Sequence, residues 1–473
     1  MPGLEGASAI SPKYFRCCRL DQDSRLAQSS LHGACLFAGS LTTPCNKDSL
    51  IPFVSKLLKV SRRWFLKASA ALGGASAFAP IFNKMPNNHQ INPMKSQSKP
   101  HVIVVGAGAF GGWTALYLLR RGVRVTLIDA WGPGNSRASS GGETRIIRGT
   151  YGPKQPYTRM AARALQLWQE NQKRWNQVLF RRTGELWMVA REDDSYEKGS
   201  LPMLREAGLP FTELRHDELV RRWPQVSFED VRWAIFEPES GGLMAREACA
   251  AVRDAFRQEG GEYRQAAVQP PQVAGAELQH ITLEDGSQIS ADRYVFACGP
   301  WLGKVFPDII GDKIRPTRQE VFFFGTASGD LRFNPDKMPI WVDHGERFFY
   351  GFPVVERRGF KIADDTRGPL FDPTHGQRVA SAEGLASARQ HLAQRFPALK
   401  DAPLLESRVC QYENSPDQNF IMDRHPRAAN LWVLGGGSGH GFKHGPAVGE
   451  MMAEAVMTDK PPNPLFLLSR FTG

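Results

Sequence analysis

Hydrophobic positions in this chain come in short blocks that end at glycines, not in long amphipathic stripes. Val102–Val105 is the first of them: four apolar residues in a row, the signature of a strand buried on both faces, stopping at Gly106. The residues that follow predict a helix through Arg121, and Val123–Ile128 predicts a second strand closed by Asp129. The same passage from strand to small-residue turn recurs at 288–301, where the turn holds Gly299 and Trp301, and at Leu431–Leu434, which runs into Gly435–Gly441. Between them, Val321–Phe324, Pro339–Val342 and Arg347–Phe352 alternate or cluster aromatic and β-branched residues, as an antiparallel sheet does. Glycine turns of this kind line the carboxyl edge of an open α/β sheet. A chain whose first, middle and last parts all supply them predicts an α/β + β architecture. Residues 100–181, 243–307 and 416–473 are assigned to a discontinuous Rossmann-like domain, a parallel sheet with helices. Residues 182–242 and 308–415 are assigned to an inserted substrate domain built on an antiparallel sheet.

The first turn has the spacing G-x-G-x-x-G at Gly106, Gly108 and Gly111, with Ala109 and Phe110 between them. Gly106 permits the tight turn, Gly108 lets the backbone approach a pyrophosphate, and Gly111 allows the helix to pack close to the sheet. The helix N-terminus presents N–H groups and a positive dipole end to phosphates. Asp129, closing the next strand, is suited to ribose hydroxyls. Strand, turn, helix, strand and terminal acid together predict a dinucleotide site.

Upstream, Ser61-Arg62-Arg63-Trp64-Phe65-Leu66-Lys67 precedes the small-residue run Ala68–Ala79, with Lys56 and Lys59 before it. This resembles a twin-arginine export signal, assigned to 60–79, with cleavage at Ala75-Ser76-Ala77 or after Ala79. The run is too short for a permanent span. The export machinery is an expected partner and the periplasm or exterior the expected location. Residues 1–59 lack periodicity and hold four of the seven cysteines; they are read as a non-native or disordered extension, and 80–99 as a linker. Cys249, Cys298 and Cys410 are too few for a disulfide framework. The formal charge of +11 draws partly on the leader, and no basic stripe with interleaved aromatics points to nucleic acid. No metal site is expected.

Six further motifs stand in order: Gly142-Glu143-Thr144-Arg145-Ile146-Ile147-Arg148, Tyr350-Gly351-Phe352-Pro353, Gly359-Phe360-Lys361, Cys410-Gln411-Tyr412, Asp417-Gln418-Asn419-Phe420-Ile421 and Ser438-Gly439-His440-Gly441-Phe442-Lys443. From His101 onward the chain resembles the monomeric sarcosine oxidase and N-methyl amino acid oxidase group of the D-amino-acid-oxidase superfamily. The resemblance implies FAD, joined through a thioether to Cys410, and a monomer that oxidises a secondary or tertiary amine with oxygen as the second substrate. It implies Arg148 and Lys443 as the carboxylate pair, a planar fork and a point charge, Tyr350 and Tyr412 as phenols bordering the substrate, and Lys361 as the oxygen-side cation. Arg145 and Thr144 fall beside the flavin, and Gly299, Trp301, Gly437, Gly439, Gly441 and Lys443 join the cofactor set. Read by residue type alone, Cys410 is equally a structural thiol, Lys361 a solvated strand residue, Arg145 a pyrophosphate ligand, His440 a packing residue, and Trp113 and Trp301 core.

Sarcosine-type enzymes carry histidines where this chain has Gly141 and Asp365. Loss of both is expected to enlarge and recharge the pocket, with Asp365 free to pair with a cationic group on a bulkier substrate. A bulkier N-alkyl or cyclic amino acid, or a basic amine, fits that expectation at least as well as sarcosine. A flavin dehydrogenase with another acceptor, a non-catalytic nucleotide-binding protein and an NAD enzyme are the competing readings.

Overall fold

The computed structural model describes residues 99–356 and 358–471; the expected extension, the signal and nearly all of the linker lie outside them. One sheet has six strands, in the order Ile421–Arg424, Leu431–Gly435, Arg293–Phe296, His101–Val105, Arg124–Asp129, Glu262–Gln265. All its pairs are parallel except the outer pair of Ile421–Arg424 with Leu431–Gly435. The apolar run at 102–105 is continuous because both faces are covered. Val102 and Val104 pack with Trp113 and Leu116 of the Ala109–Arg120 helix, while Ile103 and Val105 join Tyr294, Phe296 and Leu302 on the other side. The strands come from the first, middle and last parts of the chain, and the Gly445–Thr458 helix lies against Ala109–Arg120.

The second sheet has eight strands: Leu404–Asn414, Arg315–Phe324, Phe360–Asp364, Phe348–Phe352, Ile340–His344, Glu185–Val189, Trp233–Glu237 and Thr212–Arg215. Neighbours are antiparallel except for Ile340–His344 against Glu185–Val189, which run parallel because they come from distant parts of the chain. The period of two sorts its side chains. Phe322, Phe324, Phe360 and Ile362 bury under the Ala382–Arg395 helix, while Val321, Phe323, Ala363 and Tyr350 cluster on the opposite face. Lys361 alternates with Phe360 and Ile362, so it falls on that opposite face. The predicted Val321–Phe324 strand is the end of a ten-residue strand, extended backward by its pairing with Leu404–Asn414.

A three-stranded sheet, Thr144–Ile147 and Phe180–Arg182 flanking Gly241–Met244, carries Thr144 and Arg145 and has no counterpart among the predicted elements. Among the described residues the three cysteines are free, and no helix is long and apolar enough to cross a membrane.

Candidate active site

The first glycine turn is as tight as its spacing demands. Gly106 sits at φ +106°, and a Cβ there would lie 2.3 Å from the Ala297 carbonyl; one at Gly111 would lie 2.0 Å from the Gly106 carbonyl. Asp129 locks the turn from the neighbouring strand. Its carboxylate accepts from the N–H groups of Ala107 at 2.7 Å, Trp131 at 3.0 Å and Gly132 at 2.7 Å. Three of roughly four acceptor positions are thus used, leaving one for a ligand hydroxyl. The helix starts at Ala109, and the Ala109 N–H is held by Ser140 Oγ at 3.0 Å.

A cavity of about 310 Å³ opens over this turn. Gly106, Gly108, Ala109, Phe110 and Asp129 line it from the first turn, Gly299 and Trp301 from the middle one, and Gly437, Gly439 and Gly441 from the last. Backbone without side chains along one wall, an acceptor for a sugar hydroxyl and a guanidinium, Arg145, at one end form a donor set that suits a dinucleotide. Glu413 also borders it, accepting from the Gly437 N–H at 3.1 Å; burial pushes its carboxyl up to about 7.

Two more cavities adjoin. One of about 530 Å³ is lined by Arg148, Tyr350, Asp365, Tyr412 and Lys443. The other, about 120 Å³, holds Lys361 and Cys410. Arg145, Tyr412 and Gly439 line all three, so the chambers meet at these residues. Gly439 adopts φ +82° with a hypothetical Cβ 2.7 Å from the Tyr412 ring, so no side chain fits at the junction.

Each chamber has its own electrostatics. Arg148 lies between Trp187, 4.5 Å away, and Tyr151, 4.7 Å away, and donates to the Thr150 carbonyl. Lys443 donates to Tyr151 Oη at 2.9 Å and the His440 carbonyl at 3.0 Å; burial and then Arg148 hold it far below the usual lysine range. Behind them, Glu237 accepts from Gly149 N–H, Thr150 N–H, Thr150 Oγ1 and Ser240 Oγ at 2.7–2.9 Å. Its cross-strand neighbour Glu185 has neither oxygen hydrogen bonded, and burial followed by Glu237 pushes that carboxyl well above the usual carboxylate range. Tyr350 and Tyr412 are buried phenols, the first pushed up to about 12, the second well above its ordinary value by burial and then Asp365. Lys361, 3 % exposed, donates to Thr144 Oγ1 at 3.0 Å and lies 4.5 Å from the centre of the Phe352 ring. Burial and the nearby Arg145 lower it to about 7. Arg145 donates to the carbonyls of Thr144 and Ser139 at 2.8 Å and stands 3.4 Å from Cys410 Sγ.

Residues 101–455 match the model of FAD dependent oxidoreductases. The chain belongs to this family. A monomeric sarcosine oxidase from Bacillus sp. (strain B-0618) is 30% identical over 372 residues, 78% of this chain and 95% of that protein. An N-methyl-L-tryptophan oxidase from Salmonella arizonae is 28% identical over 79% of this chain and the whole of the other. Among solved structures, an L-proline dehydrogenase from P. horikoshii superposes with a TM-score of 0.69 at 22% identity, covering 79% of this chain and 98% of that one. An Amadoriase I variant from Aspergillus fumigatus gives 0.67, also at 22%, with 79% and 90% covered. Residues 59–79 match the twin-arginine signal model, so this FAD-dependent oxidoreductase, which acts on CH–NH bonds, is exported by that pathway.

Within the oxidoreductase several expectations change. Lys361 is buried, because the strand beside it leaves no solvated face. Trp301 is not core: it lines the nucleotide cavity, 4.8 Å from Trp131, and donates to Thr374 Oγ1. Lys443 borders the 530 Å³ cavity and not the nucleotide one, Cys410 borders the Lys361 chamber, and Thr144 and Gly111 line none of these three cavities. Gly141 opens on the Lys361 chamber, and a Cβ there would lie 1.9 Å from the Asn135 carbonyl, so a missing side chain at 141 does not enlarge the amine cavity. Asp365 is not free for a cationic substrate. Arg367 pairs with it at 2.9 Å, and Tyr412 Oη donates to it at 2.7 Å.

Tyr151, Trp187, Arg191, Glu197, His344, Arg367 and Glu413 were not anticipated. Glu413 was within reach of sequence reasoning, since it adjoins Tyr412 in a recognised motif. Arg191 and His344 meet only because two distant strands pair in parallel.

Proposed function

We propose that the protein is an exported, monomeric oxidase of a secondary or tertiary amine, an N-alkyl or cyclic amino acid, with oxygen as acceptor and hydrogen peroxide as product. The junction carries this reading: Arg145, Tyr412 and Gly439 belong at once to a nucleotide cradle, a cation-lined chamber and a small chamber holding a buried lysine. Bound FAD supplies a two-electron acceptor for the hydrogen on the carbon next to nitrogen.

The residues do the rest. Arg148 and Lys443 hold the substrate carboxylate. An amino acid arrives as a zwitterion, yet the amine must be neutral to react. Lys443 Nζ, whose charge is disfavoured by burial and then by Arg148, is placed to take the ammonium proton, and the incoming carboxylate then stabilises the lysine as a cation. Tyr350 and Tyr412 remain neutral phenols and border the nitrogen as hydrogen-bonding groups. Loss of a hydride from the carbon next to nitrogen converts the neutral amine to an iminium ion, and water splits the iminium into a carbonyl compound and an amine with release of a proton. Oxygen takes up the two electrons and two protons as hydrogen peroxide, beside Lys361, whose charge favours reduced oxygen. Cys410 Sγ, 3.4 Å from the Arg145 guanidinium, would hold the flavin as a thioether once the cofactor is bound.

The test is anaerobic bleaching of the flavin by a panel of secondary, tertiary, cyclic and primary amino acids, followed by air. Bleaching by an N-alkyl or cyclic amino acid with fast recovery is the expected result. Bleaching without recovery overturns oxygen as acceptor, and no bleaching by any amine overturns the substrate class.

A further inference from the structure

Six basic side chains line the 530 Å³ cavity: Arg145, Arg148, Lys154, Arg191, Arg367 and Lys443, the last with its charge disfavoured until a carboxylate arrives. Only two carboxylates, Asp365 and Glu346, do so. Asp365 is neutralised by Arg367, and Arg145 is engaged with backbone carbonyls. Arg148, Lys154 and Arg191 therefore keep an excess of positive charge at the cavity, offset within it by exposed Glu346 and outside it by Asp193 beside Arg191. The single carboxylate of a simple amino acid leaves this excess uncompensated, and like charges crowded in a partly enclosed cavity favour a second anion.

Arg191 is the cation built to meet it. Glu197 is fully buried, and its Oε1 accepts from Trp187 Nε1 at 2.7 Å and from His344 Nδ1 at 2.5 Å. Arg191 Nη1 lies 3.3 Å from His344 Nε2. A guanidinium only donates, so Nε2 accepts and the ring hydrogen stays on Nδ1, pointing at Glu197. A buried carboxylate thus orients a histidine, and the histidine holds Arg191 at the wall of the cavity. The other anchor of Arg191 is the exposed Asp193 at 3.2 Å, a weak surface pair that a carboxylate in the cavity can displace. Trp187, Tyr196 and Phe348 supply apolar wall for the chain joining the two anionic ends.

We infer that the substrate is a secondary or tertiary amine with two carboxylates, one held by Arg148 and Lys443 and the second by Arg191. This rests on the amine-oxidase reading above and narrows its substrate class.

The experiment uses the flavin-loaded enzyme and anaerobic reduction by N-methyl aspartate, N-methyl glutamate and N-methyl 2-aminoadipate, each against its side-chain amide. The diacid of matching length is expected to half-saturate at about 10- to 100-fold lower concentration than its amide, the strength of one charge-assisted contact. Arg191→Gln should abolish that preference, with the loss in half-saturation and not in limiting rate, and Arg191→Lys should restore part of it. Equal half-saturation by acids and amides in the parent enzyme overturns the second carboxylate site alone. So does an Arg191→Gln variant that weakens both partners of each pair equally. No reduction by any amine overturns the amine reading and the site with it.

Discussion

Lys361 should make this protein less stable and more active at once, and the two effects separate on substitution by methionine, which keeps the length and removes the charge. The side chain is 3 % exposed, so solvent screening does not soften the cost. Its displacement from 10.5 to about 7 corresponds to about 5 kcal/mol of penalty on the charged form. Methionine leaves the Thr144 carbonyl and hydroxyl without their donor, which costs about 1–2 kcal/mol. Lys361→Met is therefore expected to be about 3 kcal/mol more stable than the parent at pH 6. The sign follows from proton counts. Below pH 7 both folded and unfolded chains hold the lysine proton, and the full penalty applies. Between 7 and 10.5 only the unfolded chain holds it, so the parent gains stability as pH rises and the advantage of the variant fades. Urea unfolding of the flavin-loaded proteins at pH 6 and pH 9 reads this directly. In stopped flow, the variant should reduce its flavin at nearly the parental rate and reoxidise about 10²- to 10³-fold more slowly. A variant less stable than the parent at pH 6 would refute the burial argument. Equal slowing of both half-reactions would refute the oxygen-side role.

Two other substitutions probe the surroundings. Cys410→Ala should leave flavin that appears in the supernatant after acid precipitation; flavin that stays with the precipitated variant would place the linkage elsewhere. Glu237→Gln keeps one acceptor oxygen for four donors and should lower stability by about 3 kcal/mol, with weaker amino-acid binding because the Gly149–Thr150 backbone next to Arg148 loses its anchor. A loss below about 1 kcal/mol in urea unfolding would show that the backbone there does not depend on the carboxylate.

What could be read in the sequence follows from how local each signal is. The glycine turn at 106–111 is a property of consecutive residues: the strand before it, the positive φ it needs and the acid that closes the next strand all lie within thirty positions. The family motifs are local in the same way, since Arg148, Cys410 and Lys443 each stand in a short string. Residue type alone reads Lys361 as a solvated strand residue because its burial comes from Arg315–Phe324 and Phe348–Phe352 pairing on either side of it, and no local pattern encodes those partners. Asp365 was misjudged for a similar reason. Its charge is spent on Arg367 two residues away, but the same arginine also reaches Ser438 and Gln418, which fixes it over the cavity. Residue type at a single position therefore says little about pocket charge until the partners are known. Asp365 read alone suggests a cationic substrate; Asp365 with Arg367, beside Arg148, Arg191 and Lys443, makes the cavity a receptor for anions. The residues proposed to carry the reaction were legible as motifs, whereas Arg191 and His344, proposed to select the substrate, meet only because the fold pairs the strands beside them.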